Sequence, residues 1–425
     1  MARHWQASAQ AYTCIFNMVS RRYFLFGSLA LPLAAQKPQK RPAKVEKISK
    51  NKIQFQRPNM LLVLADNLPA WMTGCYGNKD VVTPNLDQLS KTGTRFLNSF
   101  VPAPAPIPSR NSFLTGRAFK APDPAPAASI LDQAMNAAGF GCGTATGATF
   151  SDTTAAAAKF LDQQSSGKSF ALTVLYTGAL EAPYDAVPEQ YRDLYATQMF
   201  DSWAADPPAR NAAKGKEYFV ERLFMLRKVA GAVTYLDAEV GKLLVKLYDK
   251  QLLNDTLIIF ASTCGQLLGR HGLWDSGDAS DPPNMYEEVV NTPLIWSYPP
   301  RVPPSITQVG LVSAYDLMPT LCDFLLIDQP EGEFPGRSYA LMATGKPFPR
   351  KDPWRTTVFA HYKNTEMARV DRYKVVVRDE GKGRGELYDL RVDHDEAQNQ
   401  YENPQFEDIR NALSGQLANW RKFLV

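Results

Sequence analysis

Three short runs in this chain are apolar on both faces, and they limit the folds open to it. They are Asn59–Ala65, Phe170–Tyr176 and Thr256–Ser262. A strand with no polar face belongs in the middle of a parallel or mixed sheet that is covered on both sides. Helical patterns lie between them. Thr83 or Asn85 opens one, and Ser129–Ala138, closed by Gly139, is a second. The third is Tyr218–Lys250, where Leu226, Val229, Val233, Leu236, Val240, Leu243, Leu244 and Leu247 recur at spacings of three and four and form one buried stripe. Phe96–Val101 and the Gly-rich Phe140–Thr146 read as further strands, and Val309–Leu326 as a strand–helix pair. Strands alternating with helices predict a doubly wound α/β sheet. Asp66 and Asn67 directly follow the first strand, at the carboxyl edge where such sheets place ligands.

The pattern changes after Pro347. Thr356–Phe359, Ala368–Val370, Tyr373–Val377 and Glu386–Asp389 are short strands separated by polar turns, which predicts an antiparallel meander. Asn403–Leu424 then reads as an amphipathic helix. The expected organisation is a leader over 1–36, a basic linker over 37–56, an α/β domain over 57–347 and a small α+β domain over 348–425.

Charge divides in the same place. Residues 1–57 hold 11 Lys and Arg against one acid, Glu46, while the rest of the chain holds 36 basic and 42 acidic residues. A nucleic-acid binder keeps its positive excess on the folded part, so that class is excluded. Ser20-Arg21-Arg22-Tyr23-Phe24-Leu25 precedes an apolar run from Phe24 to Ala35, a twin-arginine export pattern that predicts a periplasmic or secreted protein. That run has 12 residues against the ~20 that span a bilayer, so no membrane span is expected in the mature protein. Met1 and Met18 both remain possible starts. Beyond Cys14, the four cysteines Cys75, Cys142, Cys264 and Cys322 show no metal-pair spacing; one disulfide among them is possible, and the sequence does not choose it.

The functional signal lies in Ala105-Pro106-Ile107-Pro108-Ser109-Arg110-Asn111-Ser112-Phe113-Leu114-Thr115-Gly116-Arg117. Ser109, Arg110 and Asn111 read as the opening of a helix after two prolines, and Ser109 with Arg110 makes a candidate anion seat. This stretch resembles the sulfatase signature: Cys or Ser, any residue, Pro, any residue, Arg, then Leu-Thr-Gly-Arg. The resemblance runs from Arg57 to Leu424 through Thr83-Pro84-Asn85-Leu86-Asp87, Tyr235-Leu236-Asp237, His271-Gly272-Leu273-Trp274-Asp275, Asp316-Leu317-Met318-Pro319-Thr320-Leu321 and Leu387-Tyr388-Asp389-Leu390. It implies an alkaline-phosphatase-like mixed sheet sandwiched by helices, followed by a small C-terminal α+β domain with an antiparallel sheet.

The same resemblance exposes what is missing. The family's first signature residue becomes formylglycine and attacks sulfur; here it is Pro106, which has neither thiol nor hydroxyl. The family's metal positions read Asp66, Asn67, Thr263 and Cys264, a weak set for a cation that wants several carboxylates. Its substrate-gripping segments align with Thr146-Gly147-Ala148-Thr149, Leu180-Glu181 and Ser276. Arg110 alone survives of the anion-binding set, with an ion pair to Asp66 as its structural alternative. His271 reads as a structural hydrogen-bonding residue, or as a soft metal site with Cys264. The expectation is an exported pseudo-sulfatase with a binding or interaction role, no cofactor, and an anionic or sulfated glycan or a small sulfate ester as possible ligand. The alternative is an active sulfuric or phosphoric ester hydrolase that needs Ca²⁺ or Mg²⁺ and attacks through Ser109, Ser112 or a bound water, with Glu181 or His271 as base.

Overall fold

A computed structural model describes residues 57–120, 129–164, 168–203 and 206–425. The twin-arginine segment, the basic linker and the Ala121–Ala128 loop lie outside the described residues. The strands are β1 (Asn59–Ala65), β2 (Thr94–Phe96), β3 (Ser99–Phe100), β4 (Gly141–Ala145), β5 (Phe170–Tyr176), β6 (Thr256–Ser262), β7 (Leu294–Ser297), β8 (Ile306–Gln308), β9 (Val312–Ser313), β10 (Thr357–Tyr362), β11 (Thr365–Val370), β12 (Tyr373–Arg378) and β13 (Glu386–Asp389). The longer helices are α1 (Pro84–Lys91), α2 (Pro106–Thr115), α3 (Ile130–Ala137), α4 (Phe150–Asp162), α5 (Arg222–Asp249), α6 (Leu317–Leu325) and α7 (Glu407–Trp420).

The three doubly apolar runs are β1, β5 and β6, and they lie side by side at the centre of a seven-stranded sheet ordered β4-β5-β1-β6-β7-β2-β8. β4, β5, β1 and β6 are parallel, with Leu62 flanked by Thr173 and Ile259. β7 runs antiparallel to β6 and to β2, so the sheet is mixed. Met60, Leu62 and Leu64 share one core with Phe113 of α2, Leu131 and Met135 of α3, and Leu321 of α6. The long helix α5 packs with α1 and α4. Helices therefore flank the sheet, as the resemblance implies.

The tail strands form a separate antiparallel meander in chain order. Strand alternation serves both of its faces. Ala368, Val375 and Val377 meet Leu413, Leu417 and Trp420 of α7, while Val358, Ala360, Met367 and Val376 join the main core. Residues 58–425 accordingly form one compact unit.

Val309–Leu326 does form a strand–helix pair, β9 and α6, but β9 has only two residues and pairs with β3 in a ribbon apart from the main sheet. No disulfide forms among the described residues, since Cys75, Cys142, Cys264 and Cys322 are all free thiols.

Asp237 ties two distant motifs to each other in space. It is fully buried on α5, where its carboxylate accepts from Leu86 N at 2.8 Å, Asn85 N at 3.2 Å and Asn85 Nδ2 at 2.7 Å. It thus caps α1 from another helix, because Thr83 at that helix's own N-cap makes no side-chain capping bond. Burial pushes the Asp237 carboxyl up to about 7 against those hydrogen bonds. Asp237→Ala, which orphans the N–H of buried Leu86 and that of half-buried Asn85, is expected to cost about 3 kcal/mol in urea unfolding. Asp237→Asn, which keeps one acceptor, should cost less.

Candidate functional site

Helix α2 delivers the signature residues to the carboxyl edge of the sheet. It begins at Pro106, three residues earlier than the sequence suggests, with extended Ala105 as N-cap. Proline suits the first helical position because its missing N–H would be unbonded there anyway. Pro108 removes another early donor, so only Ile107 among the first three helical residues carries an N–H. The Ser109 N–H donates to Ala105 O at 3.4 Å, and its fully buried hydroxyl donates to Ala103 O at 2.6 Å. Ser112 Oγ, also fully buried, donates to Pro108 O at 3.0 Å. Both hydroxyl protons are thus committed to backbone carbonyls, and neither serine is presented as an anion ligand or nucleophile. Pro106, at the first position of that helix, is half-buried.

Arg110 does reach the cleft, but it is engaged there. Its Nη2 lies 3.3 Å from Asp66 Oδ2, and Thr263 donates to the other Asp66 oxygen at 2.6 Å. Asp66 is only 3% exposed. Burial pushes its carboxyl above the usual range, while the Arg110 charge and the Thr263 hydroxyl pull it back. Beside them, the Cys264 Sγ donates to Asn67 Oδ1 at 2.9 Å, and Gln266 Nε2 donates to Asn67 O at 2.8 Å. Asn67 holds this place in the left-handed region with φ 59°, which asparagine tolerates. Burial pushes the Cys264 thiol well above its ordinary value, and the charges of Asp66 and Asp275 push it further, so it stays protonated.

Asp66, Asn67, Thr263 and Cys264 therefore do come together, at the ends of β1 and β6. They do not fit a hard dication. One carboxylate is already neutralised by a guanidinium, and the remaining donors are an amide, a hydroxyl and an un-ionised thiol, each spent on a neighbour. Calcium and magnesium sites need several free oxygen ligands with negative charge. Among the described residues no group of three or more His, Cys, Asp and Glu could hold a metal.

His271 is occupied elsewhere. Its ring stacks on Tyr286 at 3.6 Å between centroids, and its Nε2 lies 3.4 Å from Glu288 Oε2. Burial alone would raise Glu288, but His271 and then Arg270 outweigh it and hold that carboxyl at about 2. These contacts fix a loop and leave no soft-metal arrangement with Cys264. Glu181 faces the cleft electrostatically. Partial burial, then Asp66 and Asp275, push its carboxyl up, opposed by Arg110 and Lys214.

Lys214 is the residue that sequence reasoning missed. It comes from the irregular segment before α5 and pairs with Asp275 at 2.8 Å. A single lysine in a loop carries no periodicity or spacing that would mark it. The cleft thus holds two internal ion pairs, Arg110–Asp66 and Lys214–Asp275, with Glu181 nearby.

Comparison with known proteins follows this geometry. A family model described as "Sulfatase" matches residues 58–151 and 141–326, and one described as "N-sulphoglucosamine sulphohydrolase, C-terminal" matches 269–423. Human arylsulfatase D is 49% identical over 61 residues, which is 14% of this chain and 10% of that protein. Human arylsulfatase A is 48% identical over 60 residues, 14% of this chain and 12% of that protein. The chain thus spans about a tenth of the length of these curated relatives. A solved protein in complex with its substrate D-glucosamine-2-N,6-O-disulfate superposes with TM-score 0.73 at 18% identity, over 86% of this chain and 98% of that one. The phosphonate monoester hydrolase of Agrobacterium radiobacter superposes with TM-score 0.68 at 18% identity, over 86% and 96%. These likenesses are of fold.

Removing Arg110 leaves Asp66 buried with one hydroxyl for company. Arg110→Ala is expected to cost about 2 kcal/mol, less than a fully buried pair because the arginine side chain is 23% exposed. The Asp66 carboxyl, already raised, rises further, so its ionised form destabilises the fold above that folded-state value and protonation relieves the cost. Thermal unfolding across pH should show the largest deficit at alkaline pH and a narrowing one as pH falls.

Proposed function

The chain belongs to the sulfatase family, and from that premise we propose that it is an exported, catalytically silent member that binds rather than cleaves. One observation carries this reading: Asp66, the single carboxylate among the four residues aligned with the family's metal positions, is held in an ion pair by the chain's own Arg110, and a proline stands at the aligned nucleophile position. An electrophilic sulfur needs a nucleophile and a compensating charge in the transition state. Pro106 supplies no attacking atom, and Ser109 and Ser112 donate their protons into the backbone. Arg110 keeps a positive charge in the cleft, but Asp66 opposes it at 3.3 Å. No cofactor is required on this reading. The twin-arginine segment supports a periplasmic or secreted location, and no described helix is long and apolar enough to cross a membrane.

The natural ligand on this reading is an anionic or sulfated sugar. A structural neighbour was solved with a disulfated glucosamine as its substrate, and another is a 2-O GAG sulfatase. The test is a hydrolysis screen of the purified protein on aryl sulfate, aryl phosphate and sulfated monosaccharides, with and without added Ca²⁺ or Mg²⁺. Product at the buffer rate throughout is the expected result. Metal-dependent turnover that vanishes in Arg110→Ala would overturn the proposal.

A further inference from the structure

A second charged cavity, of about 510 Å³ and so of small-molecule size, lies apart from the cleft. β7 runs antiparallel to β6, so its last residue, Ser297, stands beside Ile258, toward the edge of the sheet opposite the cleft. Arg301 follows it and lines the cavity. The charged residues in the lining are Arg301, Arg337 and Lys346 against Asp323 and Asp352. Arg337 Nη2 and Asp352 Oδ2 pair at 2.6 Å and cancel. Asp323 offsets one of the two remaining cations. Among the described residues none of these five pairs with a charged group outside the cavity, so the lining sums to one positive charge. Exposed Arg350 and Lys351, between the lining residues Pro349 and Asp352, carry two more beside it.

Arg301 adds an independent observation. It is half-buried, its guanidinium lies 4.0 Å from the centre of the Phe324 ring, and its Nη1 donates to Phe324 O at 2.5 Å. These contacts fix the group without neutralising it, and no carboxylate pairs with it among the described residues. Arg372 and Arg421 are pushed up by their hydrogen bonds to Asp389 and Glu366, whereas burial pulls Arg301 down. A cation held partly out of water with no counter-charge is costly, and an incoming anion relieves that cost. Its planar fork matches the oxygen pair of a carboxylate or sulfate. Half-buried Phe348 and Leu341 give the cavity an apolar wall. The Ser338 hydroxyl accepts from Ala340 N at 3.3 Å and keeps its proton to donate.

We propose that this cavity binds a sugar-sized ring compound bearing one oxyanion, a carboxylate or a sulfate ester, with Arg301 and Lys346 on the charge and Phe348 beside the ring. The assignment does not rest on the cleft, so the hydrolysis screen and the following experiment fail separately.

The experiment is calorimetric titration of the full chain with glucuronate and, separately, with glucose 6-sulfate, using glucose as the uncharged control. Saturable binding of at least one anionic sugar is expected; the arm that responds identifies carboxylate or sulfate. Arg301→Ala should weaken it about tenfold or more. Lys346 and Asp323 are both exposed, so their variants should fold normally. Lys346→Ala should weaken binding about threefold, and Asp323→Asn, which removes the opposing charge, should tighten it about twofold. A loss of structure at Arg301 would not produce that gain. No saturable heat with either anion, equal affinity for glucose, or binding unchanged in both Lys346→Ala and Asp323→Asn would overturn the proposal. Binding that is lost in Arg110→Ala would place the ligand in the old cleft and overturn it too.

Discussion

The contact on which the site depends is the one between Arg110 and Asp66. A carboxylate 3% exposed at the end of a central strand must be neutralised from somewhere. In a metal-dependent hydrolase a divalent ion does this and is then free to act on substrate. Here a guanidinium 3.3 Å away does it, tied to the same helix that carries the signature residues. The compensation is covalently part of the fold. Thr263 and Cys264 complete it by donating to Asp66 and Asn67, which closes the remaining oxygen ligands.

That exchange makes sense of features that look unrelated in the sequence. The second ion pair, Lys214–Asp275, closes another part of the same cleft. A surface built to grip an anion leaves its cations uncompensated; this cleft pairs them internally.

Much of the fold was legible because burial leaves a periodic trace. β1, β5 and β6 have the bounds their apolar runs suggest, since a strand covered on both faces has no polar residue to blur its ends. The tail meander was legible from its alternation. β7 and β8 were not, because three or four residues between turns carry no period to count. Within the site, Asp66, Asn67, Thr263 and Cys264 were legible as a set from strand ends and motif order. Lys214 was not, nor was the grouping of Arg301, Asp323 and Lys346, because each comes from a separate segment that only the tertiary fold brings together. The start of α2 was misread because proline, a breaker inside a helix, is favourable at its first position.

The central claim is that Asp66, paired with Arg110 and flanked by Asn67, Thr263 and Cys264, holds no divalent cation, and titration with Ca²⁺ and Mg²⁺ followed by thermal unfolding tests it most directly. An ion that binds the folded state at a hundredfold excess over its Kd adds about 2.7 kcal/mol of stability. The account predicts an unfolding temperature that is the same in excess Ca²⁺, excess Mg²⁺ and a chelator. A saturable rise with either ion that disappears in Asp66→Asn would contradict it.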